Sequence, residues 1–245
     1  MNDEFVDSLY KYRSVDSFTL DIIANNRIFF AKPEMFNDPY DTEFNINTHI
    51  GKLSSIDMAY MEETYGISSN DEVDRVIVNV NEQIKNYVSS AGILSLSSSP
   101  ENLLLWAHYA DDHKGICIEF ERKLGNDLAN ESFTQKVKYA ASYPSFNKYA
   151  FIKKNGHSVV NRILWTKSPE WEYEQEWRVI YPHKGGTVQE IPGKIKSIIF
   201  GLRCPSINID IIKRLVSGTD IKLKQASKKK NEFGVVIKNI TSNSS

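Results

Sequence analysis

The stretch Trp171-Glu172-Tyr173-Glu174-Gln175-Glu176-Trp177-Arg178 sets three acids among aromatic and amide residues, just before an apolar run. An extended backbone over 174–178 puts Glu174, Glu176 and Arg178 on one face, because strand side chains alternate. Carboxylates two residues apart lie roughly 7 Å from each other along a strand. They can then share a cleft. One stabilises cationic character and the other handles a proton, as glycosyl transfer through an oxocarbenium-like state requires. Arg178 beside them keeps at least one carboxylate ionised. The same pattern also suits an edge strand whose paired surface charges discourage aggregation.

A second candidate is Leu105-Trp106-Ala107-His108-Tyr109-Ala110-Asp111-Asp112-His113-Lys114-Gly115. His108, Asp112 and His113 are metal-ligand types, but the segment lacks a His-Glu-x-x-His spacing and no cysteine lies close upstream. His113 reads better as a hydrogen-bonding residue at a turn, and no metal is expected. Trp106 and Tyr109, three apart, also fit a helix's core-facing stripe. Ser97-Ser98-Ser99 has no nucleophile elbow around it, and Cys117 sits in an apolar strand, where a buried thiol is inert. Gly185-Gly186 stands alone as a turn, so phosphate-loop nucleotide binding is not expected.

The elements that must position these residues follow from periodicity. Strands are expected at 9–13, 27–31, 92–97, 115–120, 137–139, 177–181, 195–201 and 234–238. Helices are expected at 14–25, over 52–89 with a break near Gly66-Ile67-Ser68-Ser69, at 102–109, within 149–164 and at 207–217. Phe36-Asn37-Asp38-Pro39-Tyr40-Asp41 reads as a turn, with Asn37 and Asp38 bonding local backbone. Strands and helices mix without regular alternation, which predicts an α+β fold with a mixed or antiparallel sheet. No repeat or linker divides residues 1–245, so one domain is expected, with a flexible tail at 241–245.

Of the 245 residues, 41% are hydrophobic and 25% charged, enough for a packed core. No run approaches the roughly 18 apolar residues of a membrane span. The acidic start is unlike a secretory signal, and two cysteines cannot make a disulfide framework. A cytoplasmic protein is expected. The net charge of −1 hides an asymmetry: residues 1–75 hold 15 acids and 6 bases, and residues 76–245 hold 16 and 24. Lys222, Lys224 and Lys228-Lys229-Lys230 supply part of that excess. It fits a solvated basic edge, or else a nucleic-acid-facing half.

Leu9-Tyr10-Lys11-Tyr12-Arg13, Phe36-Asn37-Asp38-Pro39-Tyr40-Asp41, Ser95-Leu96-Ser97, Leu105 to Ala110, His113 to Phe120 and Trp171 to Arg178 occur in that order. Together they resemble a bacterial and phage family of domain-of-unknown-function proteins found near defence or toxin genes. That family in turn looks like a remote relative of the ADP-ribosyltransferases. The resemblance implies mixed or antiparallel sheets around a central cleft with flanking helices, and NAD as substrate. It assigns Glu176 to orienting the NAD ribose and Glu174 to assisting the acceptor. Tyr12 or Arg13 on a first strand and Ser95 or Ser97 on a middle strand would complete the pattern. Tyr10, Tyr12, Trp106 and Tyr109 are offered for stacking, each with core packing as the alternative. It also implies a macromolecular acceptor, protein or nucleic acid, and an antitoxin or regulatory partner. The sequence leaves two other readings open: a nucleic-acid-binding or nucleolytic module, and a non-catalytic regulatory binding domain on the same fold.

Overall fold

Hydrophobic periodicity and end-capping set the element order. The computed structural model describes residues 6–47, 53–147 and 156–240. The expected tail at 241–245 and the start of the 149–164 segment lie outside them. β1 (Ser8–Arg13) leads into α1 (Ser17–Asn25), where the Asp16 side chain accepts from the Thr19 N–H and Asn26 closes the helix in the left-handed region. β2 (Arg27–Phe30) and β3 (Asn45–Asn47) flank the Phe36–Asp41 turn. α2 (Ser55–Tyr65) ends at Gly66, whose φ of 68° is the left-handed stop expected there. α3 (Asn70–Ser90) starts from a capping box between Ser69 and Glu72 and buries Val73, Ile77, Ile84 and Val88 along one stripe.

Then come β4 (Gly92–Ser97), α4 (Leu103–Tyr109), β5 (Ile116–Glu121), β6 (Thr134–Lys136), β7 (Lys138–Tyr139) and β8 (Ser145–Asn147). α5 (Gly156–Leu164), β9 (Thr166–Lys167), β10 (Glu176–Tyr181), β11 (Thr187–Glu190) and β12 (Ile195–Phe200) follow. α6 (Ser206–Leu215), β13 (Lys222–Lys228) and β14 (Val235–Asn239) complete the order. The fold is α+β. Its main sheet runs β14-β13-β12-β5-β1-β4-β10-β6, antiparallel except for the parallel β12–β13 pair.

One join in that sheet is nearly open. β1 pairs with β5 at six positions but with β4 only at Tyr10↔Ser97. Beyond that pair the strands part, and Ala31 after β2 bridges to Ile93 instead. Tyr10, Ser97 and Glu176 are successive cross-strand partners, so their side chains share one face, together with Tyr12, Ser95 and Arg178. α1 and α6 pack on the opposite face through Ile22, Ile23 and Ile212 against Leu94, Leu96, Ile118 and Phe200. On the first face α4 covers Tyr12, Cys117 and Ile199, while α3 and α5 cover Ile93 and Ile180.

Two glycines hold β5 against its neighbours. A Cβ on Gly115 would lie 2.1 Å from the Arg13 carbonyl oxygen, and one on Gly201 would lie 2.2 Å from that of His113. Gly115→Ala is therefore expected to cost about 1–3 kcal/mol through overpacking. Thermal melting should show a fall of roughly 2–12 °C, and an unchanged melting temperature would contradict this close approach.

Candidate active site

The parted strands leave a cavity of ≈ 560 Å³, which passes between β1 and β4 and takes its walls from both faces. On one side stand Phe18, Ile22, Ile28, Phe29 and Val188 from α1, β2 and β11, together with the paired Asp21 and Arg27. On the other side stand Tyr109, Lys167, Trp171 and Glu174, with Lys11 and Arg13 from β1 between the two.

The charged wall is built around Arg178, which is fully buried. Its Nε donates to Glu176 Oε1 at 3.0 Å, Nη1 to the Leu164 carbonyl at 2.8 Å and Nη2 to Asp41 Oδ2 at 2.6 Å. The Phe36 ring lies over the guanidinium, 5.5 Å from centroid to Cζ. Lys167 Nζ donates to Glu174 Oε2 at 2.7 Å and to Glu176 Oε2 at 2.9 Å, and lies 3.8 Å from Asp41 Oδ2. Trp171 covers that ammonium at 4.9 Å. Three carboxylates thus share two cations.

The acids meet by a route that simple alternation does not give. Residues 174–178 are not one extended run: Pro169–Glu174 is a 3₁₀ turn, and Gln175 takes a left-handed φ of 47°. β10 starts only at Glu176. The left-handed residue reverses the chain enough to bring both carboxylates to Lys167. Ser97 Oγ fixes the turn by donating to the Glu174 carbonyl at 2.8 Å, and Glu176 N–H donates to the Tyr139 hydroxyl at 2.9 Å.

The two acids differ in access. Glu176 is 2% exposed and forms no part of the cavity wall, while Glu174 lies on it. Burial works against ionising Glu176, yet Arg178 and Lys167 hold its carboxyl down at about 2. Tyr109 donates to Glu174 Oε1 at 2.8 Å, and burial with the nearby Glu174 charge raises its hydroxyl pKa, so it stays protonated. Lys11 Nζ donates to the Ser95 carbonyl at 2.7 Å, bridging the open join. Burial, with Arg13 adding to it, lowers the Lys11 amine to about 8 against the pull of Glu176 and Glu174.

The remaining expected residues separate clearly. The Ser95 side chain adds to the lowering of the Glu176 carboxyl pKa, Ser97 holds the turn, and both border the cavity. Arg13 borders it too, tied to Thr19 Oγ1 at 3.1 Å. Tyr12 is 5% exposed and spends its hydroxyl on the Ser99 carbonyl. Trp106 is not available for stacking a ligand: it is wholly buried, edge-on to Tyr12 at 5.1 Å, with Nε1 donating to the Pro100 carbonyl. His108 faces the Tyr173 hydroxyl and His113 stacks on Trp106. Among the described residues no three His, Cys, Asp or Glu side chains are arranged to hold a metal. In the Phe36–Asp41 turn, Asp38 Oδ1 accepts from the Tyr40 N–H. Asn37 reaches the Tyr109 hydroxyl.

A DUF2971 segment, from a protein family of unknown function, is found at residues 105–179. No curated protein and no solved structure matches the chain. The DUF2971 segment carries Tyr109, Lys167, Trp171, Glu174, Glu176 and Arg178, whereas Lys11 and Asp41 reach the site from outside it. No described helix is long and apolar enough to cross a membrane.

Lys11, Asp41, Lys167 and Trp171 are the site residues that sequence reasoning missed. Lys11, Asp41 and Trp171 stood inside quoted motifs without being singled out. Lys11 is out of phase with Tyr10 and Tyr12, and Lys167 belongs to a strand of two residues with no period to read.

The depressed Glu176 pKa has a signed consequence. The unfolded chain takes up a proton near the ordinary carboxylate pKa, and the native site does so only near 2. The stability this provides is complete above about pH 4.5 and is lost as pH falls toward 2, with a contribution on the order of a few kcal/mol. Glu176→Gln should therefore melt below wild type at pH 6, and the gap should close on acidification. A gap that stays constant down to pH 2 would count against the ion pairing.

Proposed function

We propose that the cleft takes NAD and that the chain is an ADP-ribosyltransferase-like enzyme, transferring ADP-ribose to an acceptor or to water. The observation that carries this reading is the cavity in the parted sheet, with Glu174 on its wall between a phenol and an ammonium. Its volume falls within the roughly 300–1,000 Å³ of small-molecule sites. The donor set suits a dinucleotide: Lys11 and Arg13 offer positive charge to a pyrophosphate, while Trp171 and Tyr109 offer ring faces. Asp41 Oδ1 adds a buried acceptor without a partner among the described residues.

NAD supplies its own leaving group, nicotinamide, which departs with the electron pair of the broken glycosidic bond. Glu174 faces the cationic character that develops at the ribose and takes the proton of the incoming nucleophile. Tyr109 and Lys167 fix one oxygen each of that carboxylate. Glu176 acts behind the wall: with Arg178 it holds Lys167 in place, a positioning role rather than contact with substrate. That division departs from the assignment implied by the resemblance: Glu174 keeps the acceptor role and takes over the ribose from Glu176, because Glu174 and not Glu176 lines the cavity.

A non-catalytic binding domain is the second reading. It is favoured by the closure of the network, in which both Glu174 carboxylate oxygens already have donors. Release of nicotinamide from NAD, measured with and without cell lysate, separates the two. Wild type should consume NAD, folded Glu174→Gln should lose about 10²–10³ in rate, and Tyr109→Phe should lose about tenfold. Full activity in Glu174→Gln would remove this acid from the chemistry. Saturable NAD binding with no turnover would give the binding-domain reading, and neither binding nor turnover would end the proposal.

A further inference from the structure

The β13–β14 hairpin, on the opposite side of the sheet's open join from Glu174, has surface chemistry that the cleft does not use. Residues 222–239 contain six lysines and one acid, in a chain of net charge −1. Lys224 is committed to buried Glu119 at 2.6 Å, and Lys229 lies 3.6 Å from Glu101. Among the described residues, Lys222, Lys228, Lys230 and Lys238 have no carboxylate at ion-pair distance. The loop joining the strands is closed by the Lys229 N–H on the Gly234 carbonyl at 3.0 Å, with Asn231 in the left-handed region. At its tip Phe233 is 104% exposed, more than any other large hydrophobic residue described.

An aromatic ring held wholly in water among unpaired lysines contributes nothing to the core. It is what a base-stacking platform needs, with cations placed for a phosphate backbone. Phe233 is a single exposed anchor, and a stable protein interface buries about 800 Å² per partner. Asn231 and Glu232 beside the ring leave little apolar area for insertion into a membrane. The Lys229–Glu101 contact sets the tip against the loop before α4, and the same loop reaches the cleft through the Ser98 N–H on the Gln175 carbonyl at 3.2 Å.

We propose that the hairpin binds single-stranded nucleic acid, with Phe233 at its tip stacking on a base and Lys222, Lys228 and Lys230 meeting phosphates; Lys238, partnered with Gln225, faces the other side of the sheet. This binding stands apart from NAD chemistry and is measured without NAD. Fluorescence anisotropy with short oligo(dT) and matched oligo(U) should give saturable binding at about 50 mM salt. Three phosphate contacts predict a log–log salt slope of about −2.1 on a single strand. Lys228→Ala with Lys230→Ala should reduce that slope to about −0.7, and Phe233→Ala should weaken binding about tenfold, with Phe233→Trp restoring it. All these side chains are exposed, so the melting temperature should not move. No binding of either oligonucleotide, or equal affinity and slope in wild type and variants, overturns the proposal. So does a Phe233→Ala variant that loses binding to phosphatidylserine-containing vesicles, or loses a dimer, while oligonucleotide binding is unchanged.

Discussion

A guanidinium with no access to water must have every strong donor direction answered, because an unpaired buried charge costs more than a fold of this size can carry. Arg178 is that group here, and its demands reach across the chain. Asp41 must arrive from the Phe36–Asp41 turn, Glu176 from two residues earlier on β10, and the Leu164 carbonyl from the end of α5. Once Asp41, Glu174 and Glu176 converge, one guanidinium cannot balance three carboxylates. Lys167 supplies the second cation. It is held there by β9, which pairs with β7 at Lys138↔Thr166 and Tyr139↔Lys167, and Tyr139 in turn receives the Glu176 N–H.

The cavity is the other side of the same arrangement. β4 follows β10 closely, over six partnered positions, on the side of the sheet that carries the charged network. β1 stays with β5, and the sheet divides where only Tyr10↔Ser97 still joins its halves. Lys11 reaches across that division to the Ser95 carbonyl and keeps it from closing or spreading. Of the two glutamates in the ion network, Glu174 is the one on the cavity wall, where Asp41 also stands. The wall opposite carries Phe18, Ile22, Ile28, Phe29 and Val188 with the Asp21–Arg27 pair, so a molecule filling the cavity meets the buried ion network on one flank and mostly rings or aliphatic groups on the other.

Much of this order was legible in the sequence. The strands at 9–13, 92–97, 115–120 and 177–181 and the break at Gly66 follow from periodicity and stop signals, because each has a buried face or a required left-handed residue. β9, with two residues, and β6, with three, are too short to carry a period. β13 has the alternation of a strand but so many lysines that composition reads it as a solvated edge. The site was half legible. Glu174, Glu176 and Arg178 were recognisable as a constellation, but their relative access depends on the left-handed Gln175, which no spacing rule announces. Trp106 shows the opposite limit: residue type suggested a ligand platform, and tertiary packing had already used both its ring and its N–H.

Trp171 offers the most direct test of the cleft as an NAD site. It is the one tryptophan on the described cavity wall, beside Lys167, whereas Trp106, Trp165 and Trp177 lie elsewhere in the fold. NAD added to the protein should quench tryptophan fluorescence saturably, and Trp171→Phe should abolish the quench while leaving the fold intact. Fluorescence unchanged by millimolar NAD, or a quench that survives in Trp171→Phe, would contradict the account.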